Sequence, residues 1–142
     1  MSNIIDVLKS IGDDLMTLDG VSEDEIKRAE EQLEILFSEE YKQYLRVFGI
    51  ASWDSRELTG LCKSKHQNVV DVTLRCRRGN EESRSVLYVI EELGIDWIVI
   101  WQNADGEIFQ TVGNENPVKL FETLADYIKQ ANLMEKNKDE IN

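Results

Sequence analysis

One proline, one histidine, two cysteines and eight glycines serve a chain of 142 residues. So little proline and glycine excludes a collagen-like or low-complexity chain. Cys62 and Cys76 are too few for a disulfide scaffold. His66, in "SKHQN", sits in a polar connection beside lysines with no nucleophile signature nearby, and reads as a solvated loop residue rather than a general base. Cys62, His66 and Cys76 lack the spacing of a usual zinc site, so no metal is expected and the cysteines read as small core residues. No glycine-rich phosphate loop is present; "GNENP" and "NADG" are turn compositions, and no cofactor is expected. No apolar run approaches the roughly 18 residues that a membrane-spanning helix needs. The opening "MSNIIDVLKSIGDDL" has one early lysine followed by acids, the wrong pattern for a secretory signal or transit peptide. The expectation is a cytoplasmic protein with reduced thiols.

What is present is apolar mass and negative charge. Apolar residues make up 42% of the chain, enough for one domain with a sizeable core. The net charge is −12, unevenly spread. Residues 1–50 carry 12 acidic and 5 basic side chains, and residues 85–142 carry 11 and 4. Residues 61–84 reverse the sign, with 3 acidic and 6 basic. Such a chain repels nucleic acid and anionic membrane over most of its surface, and it attracts a basic partner. The alternative is that the acidity serves only solubility.

Periodicity places the elements. Ile4, Leu8, Ile11 and Leu15 mark one face of a helix within residues 3–16, and Asp19-Gly20 breaks it. Ser22 and Glu25 form a capping-box pattern for a helix over about 22–35, with Ile26, Ala29 and Leu33 buried. Ser38 is placed to cap a short helix whose buried face holds Tyr41, Tyr44, Leu45 and Phe48, with Gly49 as its C-terminal cap residue. Irregular chain then leads into a short strand near Leu58–Cys62. "NVVDVTLRCRRG" predicts a helix between Asn68 and Gly79, with a strand as the competing reading of its β-branched residues. Val86–Ile90, "DWIVIWQ" and "EIFQTV" are strands. Val118, Phe121, Leu124, Ala125 and Ile128 repeat at helical spacing behind Pro117, and 135–142 reads as a frayed polar tail. The predicted class is α+β: one domain over 1–142, its core at about 20–130. Its antiparallel or mixed sheet has about four to six strands, with N-terminal helices and a C-terminal helix packed on it.

In the hairpin "WIVIWQNADGEIFQTV" the unbroken apolar run predicts a central strand covered on both faces. Trp97, Val99 and Trp101 should point one way and Ile98 and Ile100 the other, which puts Trp97 in the core. Asp105-Gly106 should close the loop, with glycine at positive φ. Asp54, Glu57, Asp96 and Asp105 lie near aromatic or turn positions, but nothing separates them from loop and cap duty as a working acid–base pair. Arg75, Arg77, Arg78 and Arg84 have no interleaved aromatics and suit a helix end or pairing with carboxylates, so nucleic-acid binding is not expected. An acidic domain with aromatics near loops fits a protein-binding module rather than an enzyme. The candidate contacts are Trp53 with Asp54 first, then Trp101 with Asp105, and Glu57.

"FSEEYKQYLRVFG" resembles the second-helix signature of the SUKH superfamily, with Tyr41, Lys42, Leu45 and Gly49 matching. Ser38 stands where proline is usual and Phe48 where asparagine is usual. "VSEDEIKRAEEQLEI", "ELTGL", "NVVDVTLRCR", "WIVIWQNADGEIFQ" and "LFETLADYI" are similar to the family's other elements, in order, over about residues 20–130. The resemblance implies a non-enzymatic α+β domain. Bacterial members look like immunity proteins that neutralise polymorphic toxins, often nucleases, by direct binding. Fungal relatives look like regulators of cell-wall assembly. A basic toxin is therefore the expected partner, a regulatory or scaffold module is the alternative, and a carboxylate-and-metal hydrolase comes third.

Overall fold

In a computed structural model, residues 3–141 are described, with side chains through Asn132; the side chains of the tail expected at 135–142 lie outside the described residues. The N-terminal helix is short. Helix α1 covers Ile4–Lys9, followed by a 3-10 turn at Gly12–Asp14, and strand β1 covers Met16–Asp19, where helix had been expected through residue 16. Helix α2 (Glu23–Leu33) opens on Ser22, whose hydroxyl accepts from the Glu25 amide, and it buries Ile26, Ala29 and Leu33. Helix α3 (Glu39–Val47) opens in the same way on Ser38. It does not end on a left-handed Gly49: the chain passes directly into strand β2 (Phe48–Trp53). Glycine is needed there for close approach instead, since a Cβ at Gly49 would lie 2.7 Å from the Asp19 carbonyl oxygen.

Strand β2 turns at Asp54-Ser55 into β3 (Arg56–Leu58), and the expected strand at 58–62 is mostly connection. Helix α4 (Val69–Arg77) is capped by the Asn68 side chain. Strands β4 (Tyr88–Glu92), β5 (Ile98–Gln102), β6 (Ile108–Val112) and β7 (Val118–Phe121) form a meander, and helix α5 spans Leu124–Ile141. The helical spacing behind Pro117 thus misleads: Val118–Phe121 pairs with β6, and the helix begins only after Thr123, whose hydroxyl accepts from the Asp126 amide.

The class is α+β, with all strand pairs antiparallel in two sheets, ordered β1-β2-β3 and β4-β5-β6-β7. The Thr59 amide bonds to the Ile90 carbonyl and links the end of β3 to β4. β5 is central and covered on both faces. Tyr88, Ile90, Ile100 and Ile108 face the main core with α1, α2, α3 and α5, whereas Leu87, Val89 and Trp101 face Val72 of α4.

The signature helix owes its residues to packing. The Tyr41 hydroxyl meets the Thr59 hydroxyl, and the Tyr44 hydroxyl donates to the Thr59 carbonyl. Ser38, Tyr88 and Gln102 share a buried hydrogen-bond network. The Glu40 carboxylate accepts from the Leu124 and Ala125 amides, so a residue of α3 caps α5. Among the described residues no helix is long and apolar enough to cross a membrane.

Candidate protein-binding surfaces

The three tryptophans change places relative to expectation. Trp101, expected near the loop end, is fully buried under α4; its indole N–H donates to Thr111 and the Arg84 guanidinium lies over its ring. Trp53 is also buried, with its N–H directed to the Asn132 side chain and the Arg56 guanidinium over its ring. Neither can be an exposed anchor. Trp97, expected in the core, is 84% exposed. The reason is backbone geometry. β5 starts only at Ile98, and the preceding turn, closed by the Ile98 amide on the Ile95 carbonyl, has φ of 50° at Asp96 and 60° at Trp97. Positive φ at both central residues is type I′ geometry, which suits Asn-Gly and penalises a bulky side chain by about 1–2 kcal/mol. The turn removes Trp97 from the strand's alternation and turns it out to solvent.

The remaining candidates divide between the sheets. Asp54 (φ 45°) forms the β2–β3 turn with Ser55 (φ 68°), and Glu57 lies on β3; both carboxylates are exposed. Asp105 is exposed on the β5–β6 loop, where the Asn103 side chain accepts from the Asp105 and Glu107 amides and Gly106 takes φ 94°. Arg56, between Asp54 and Glu57, turns inward to the buried Glu91 and to Tyr127, which bonds the same carboxylate. That cluster ties β3, β4 and α5 together.

Two surfaces emerge. The first is the outer face of the three-stranded sheet. Met16 pairs with Ser52, and Ser52 with Glu57, so these side chains line up across the sheet on one face. Leu18 lies beside Gly49, where the register of β1 on β2 slips. Met16 and Leu18 are 71% and 51% exposed on an edge strand. Exposed Asp13, Asp14 and Asp19 flank them along the chain, and Asp54 and Glu57 continue the acidic rim on the hairpin. The sequence reading missed Met16 and Leu18 because Met16 was taken as the end of a helix and Leu18 as part of the break after it.

The second surface is a groove of about 710 Å³ between the C-terminal half of α4 and the β4–β5 turn. Trp97, Ile98 and Val99 form its apolar side, and Arg75, Arg78 and Arg84 its basic side. Arg84 is buried, held by the carbonyls of Cys76, Gly113 and Glu115, and its Nε has no hydrogen-bond partner among the described residues. The Cys76 thiol on the groove wall is pushed up to about 12 by burial and by the neighbouring Glu92 carboxylate, so it is no nucleophile at neutral pH. Among the described residues no three His, Cys, Asp or Glu side chains gather as a metal-binding group.

A family model described as SMI1-KNR4 cell-wall, SUKH_5, matches residues 1–133. The chain belongs to the SUKH superfamily. The match includes α1 and β1, ahead of the residues that carry the sequence resemblance, so the edge strand with Met16 and Leu18 lies within the family domain. No curated protein matches the chain.

Proposed function

We propose that this SUKH domain is an immunity protein that neutralises a cognate toxin by direct contact, without catalysis of its own, and that the toxin is a basic protein such as a nuclease. The observation that carries this reading is the pairing of exposed Met16 and Leu18 with the acidic rim of Asp13, Asp14, Asp19, Asp54 and Glu57. Nuclease toxins are commonly basic because their substrate is polyanionic. An acidic face raises the encounter rate with such a surface, while buried apolar anchors lower the exit rate. The edge of β1 also offers backbone donors and acceptors for an added strand. Asp54 and Glu57 belong to this contact. Trp53 supports it from behind, and Asp105, on the other sheet, stands apart. The working compartment is the cytoplasm, where the toxin would otherwise act on its producer.

The test is coexpression with the product of the neighbouring reading frame as the candidate toxin. The wild-type chain protects the cells, and a chain carrying Met16→Lys and Leu18→Lys does not, although it stays folded by circular dichroism. Killing of cells that hold soluble wild-type protein contradicts the reading. The family's cell-wall description supports a second reading, a regulatory protein-binding module using the same face; a non-toxic basic partner recovered on wild type and lost on the double variant favours it.

A further inference from the structure

We infer that the groove between α4 and the β4–β5 turn is a second docking site, of opposite charge preference, which takes an acidic peptide segment bearing an apolar side chain beside its carboxylate. It stands independently of the toxin reading. Charge is the first argument. In a chain of net −12, three guanidiniums converge here with two carboxylates, Glu92 and Asp96. Glu92 is already committed to Arg75 at 2.6 Å. The Arg78 side chain has no ion-pair or hydrogen-bond partner among the described residues. Arg84 is held by carbonyls and the Trp101 ring and forms no ion pair among the described residues, so its charge is not neutralised by a carboxylate.

Arg84 is the second argument. It is 4% exposed, lines the groove, and keeps an unpartnered buried Nε–H. That Nε is enclosed, so a bound carboxylate would meet the exposed Arg78 directly and feel the Arg84 charge through the groove wall. The third argument is the rim. Trp97 is 84% exposed and held outward by two non-glycine residues at positive φ, and the apolar Val99 lines the groove beside it. Strain maintained at an exposed aromatic marks a binding element, and Trp and Arg are the side chains that most often dominate protein interfaces. A nucleotide fits less well, because the chain has no glycine-rich phosphate loop.

The experiment selects a random heptapeptide library on the immobilised full-length protein. The selected peptides are synthesised, binding to wild type and variants is read by isothermal titration calorimetry, and iodide quenching of the wild-type fluorescence reports shielding of Trp97, because Trp53 and Trp101 are buried. Selected peptides should place Asp or Glu next to a Leu, Phe or similar residue, shield Trp97, and bind more weakly as salt rises. Arg78→Glu and Trp97→Ala, both at exposed positions, should each weaken binding roughly tenfold or more. Selection without acidic enrichment, or equal binding to both variants, overturns the proposal. So does shielding of Trp97 by AMP where no selected peptide shields it.

Discussion

On the three-stranded sheet, exposed Met16 and Leu18 sit on a short edge strand with acidic neighbours; at the end of the four-stranded sheet, exposed Trp97 sits on a left-handed turn with arginines around it. The two regions reach the same result, apolar side chains in water, by different routes. An edge strand exposes side chains at little conformational cost, whereas Asp96 and Trp97 occupy a region that L-residues avoid. Net charge therefore describes the first region and conceals the second. A −12 chain can carry a basic site if the arginines are gathered on one helix end and its facing loop.

The largest expected effect tests which side of the four-stranded sheet is core. Trp101→Ala should cost about 3–5 kcal/mol in urea denaturation, because the ring is fully buried between Val72 and β6. A loss under about 1 kcal/mol breaks the assignment, and Trp97→Ala supplies the contrast with almost no loss. Next comes the joint between the two regions. Arg56→Ala leaves the buried Glu91 carboxylate without its cation and should destabilise by about 3 kcal/mol or more. Both surfaces should then be lost together in one thermal transition; separate transitions would show that the sheets are not coupled through this pair. A smaller effect tests the hairpin loop. Gly106→Val, at φ 94°, should cost about 1–2 kcal/mol, and an unchanged melting temperature counts against that turn geometry. The strained turn predicts the opposite sign: Trp97→Gly should raise stability by about 1 kcal/mol while emptying the groove of its anchor.

The smallest effect is acid sensitivity. Arg46 holds the Glu23 carboxyl below the usual range, and Lys119 with Asn103 does the same for Glu107. Depressed folded-state values mean that stability is present above the ordinary carboxylate range and is lost as pH falls through the lower folded values. Glu23 is exposed and Glu107 half-buried at the surface, so solvent weakens both pairs and melting scans from pH 7 to pH 3 should show a modest decline. Neither pair lies on the two surfaces, so replacing both carboxylates with Gln should flatten part of that decline without moving either binding activity.

Much of the frame was legible where the determinants are local. Ser22, Ser38 and Asn68 announce helix starts through one hydrogen bond each. The run Trp97–Trp101 announces a strand covered on both faces, which β5 is from Ile98 onward but not at Trp97. What escaped depends on partners distant in sequence. β7 is a strand because β6 pairs with it, and α5 begins where Glu40 of a different helix caps it. β1 alternates apolar and polar residues over only four positions, too few to stand out beside the helical spacing that precedes it. The site escaped for another reason. Exposure of Trp97 and burial of Trp101 turn on where β5 begins, and Asp-Trp at the centre of a type I′ turn carries none of the Asn-Gly signal that would locate it. Asp54 and Glu57 were legible as acids of an irregular connection, but not the β2–β3 hairpin that holds them, nor the apolar residues they rim.

On the proposed function, the acidic sheet face, not the tryptophan turn, holds the partner. The direct measurement is the Kd of the neighbouring reading frame's product, tested as the proposed toxin, for three chains: wild type, the Met16→Lys/Leu18→Lys double variant, and Trp97→Gly. The account predicts at least a hundredfold weakening for the double variant and less than twofold for Trp97→Gly. The reverse order would contradict it.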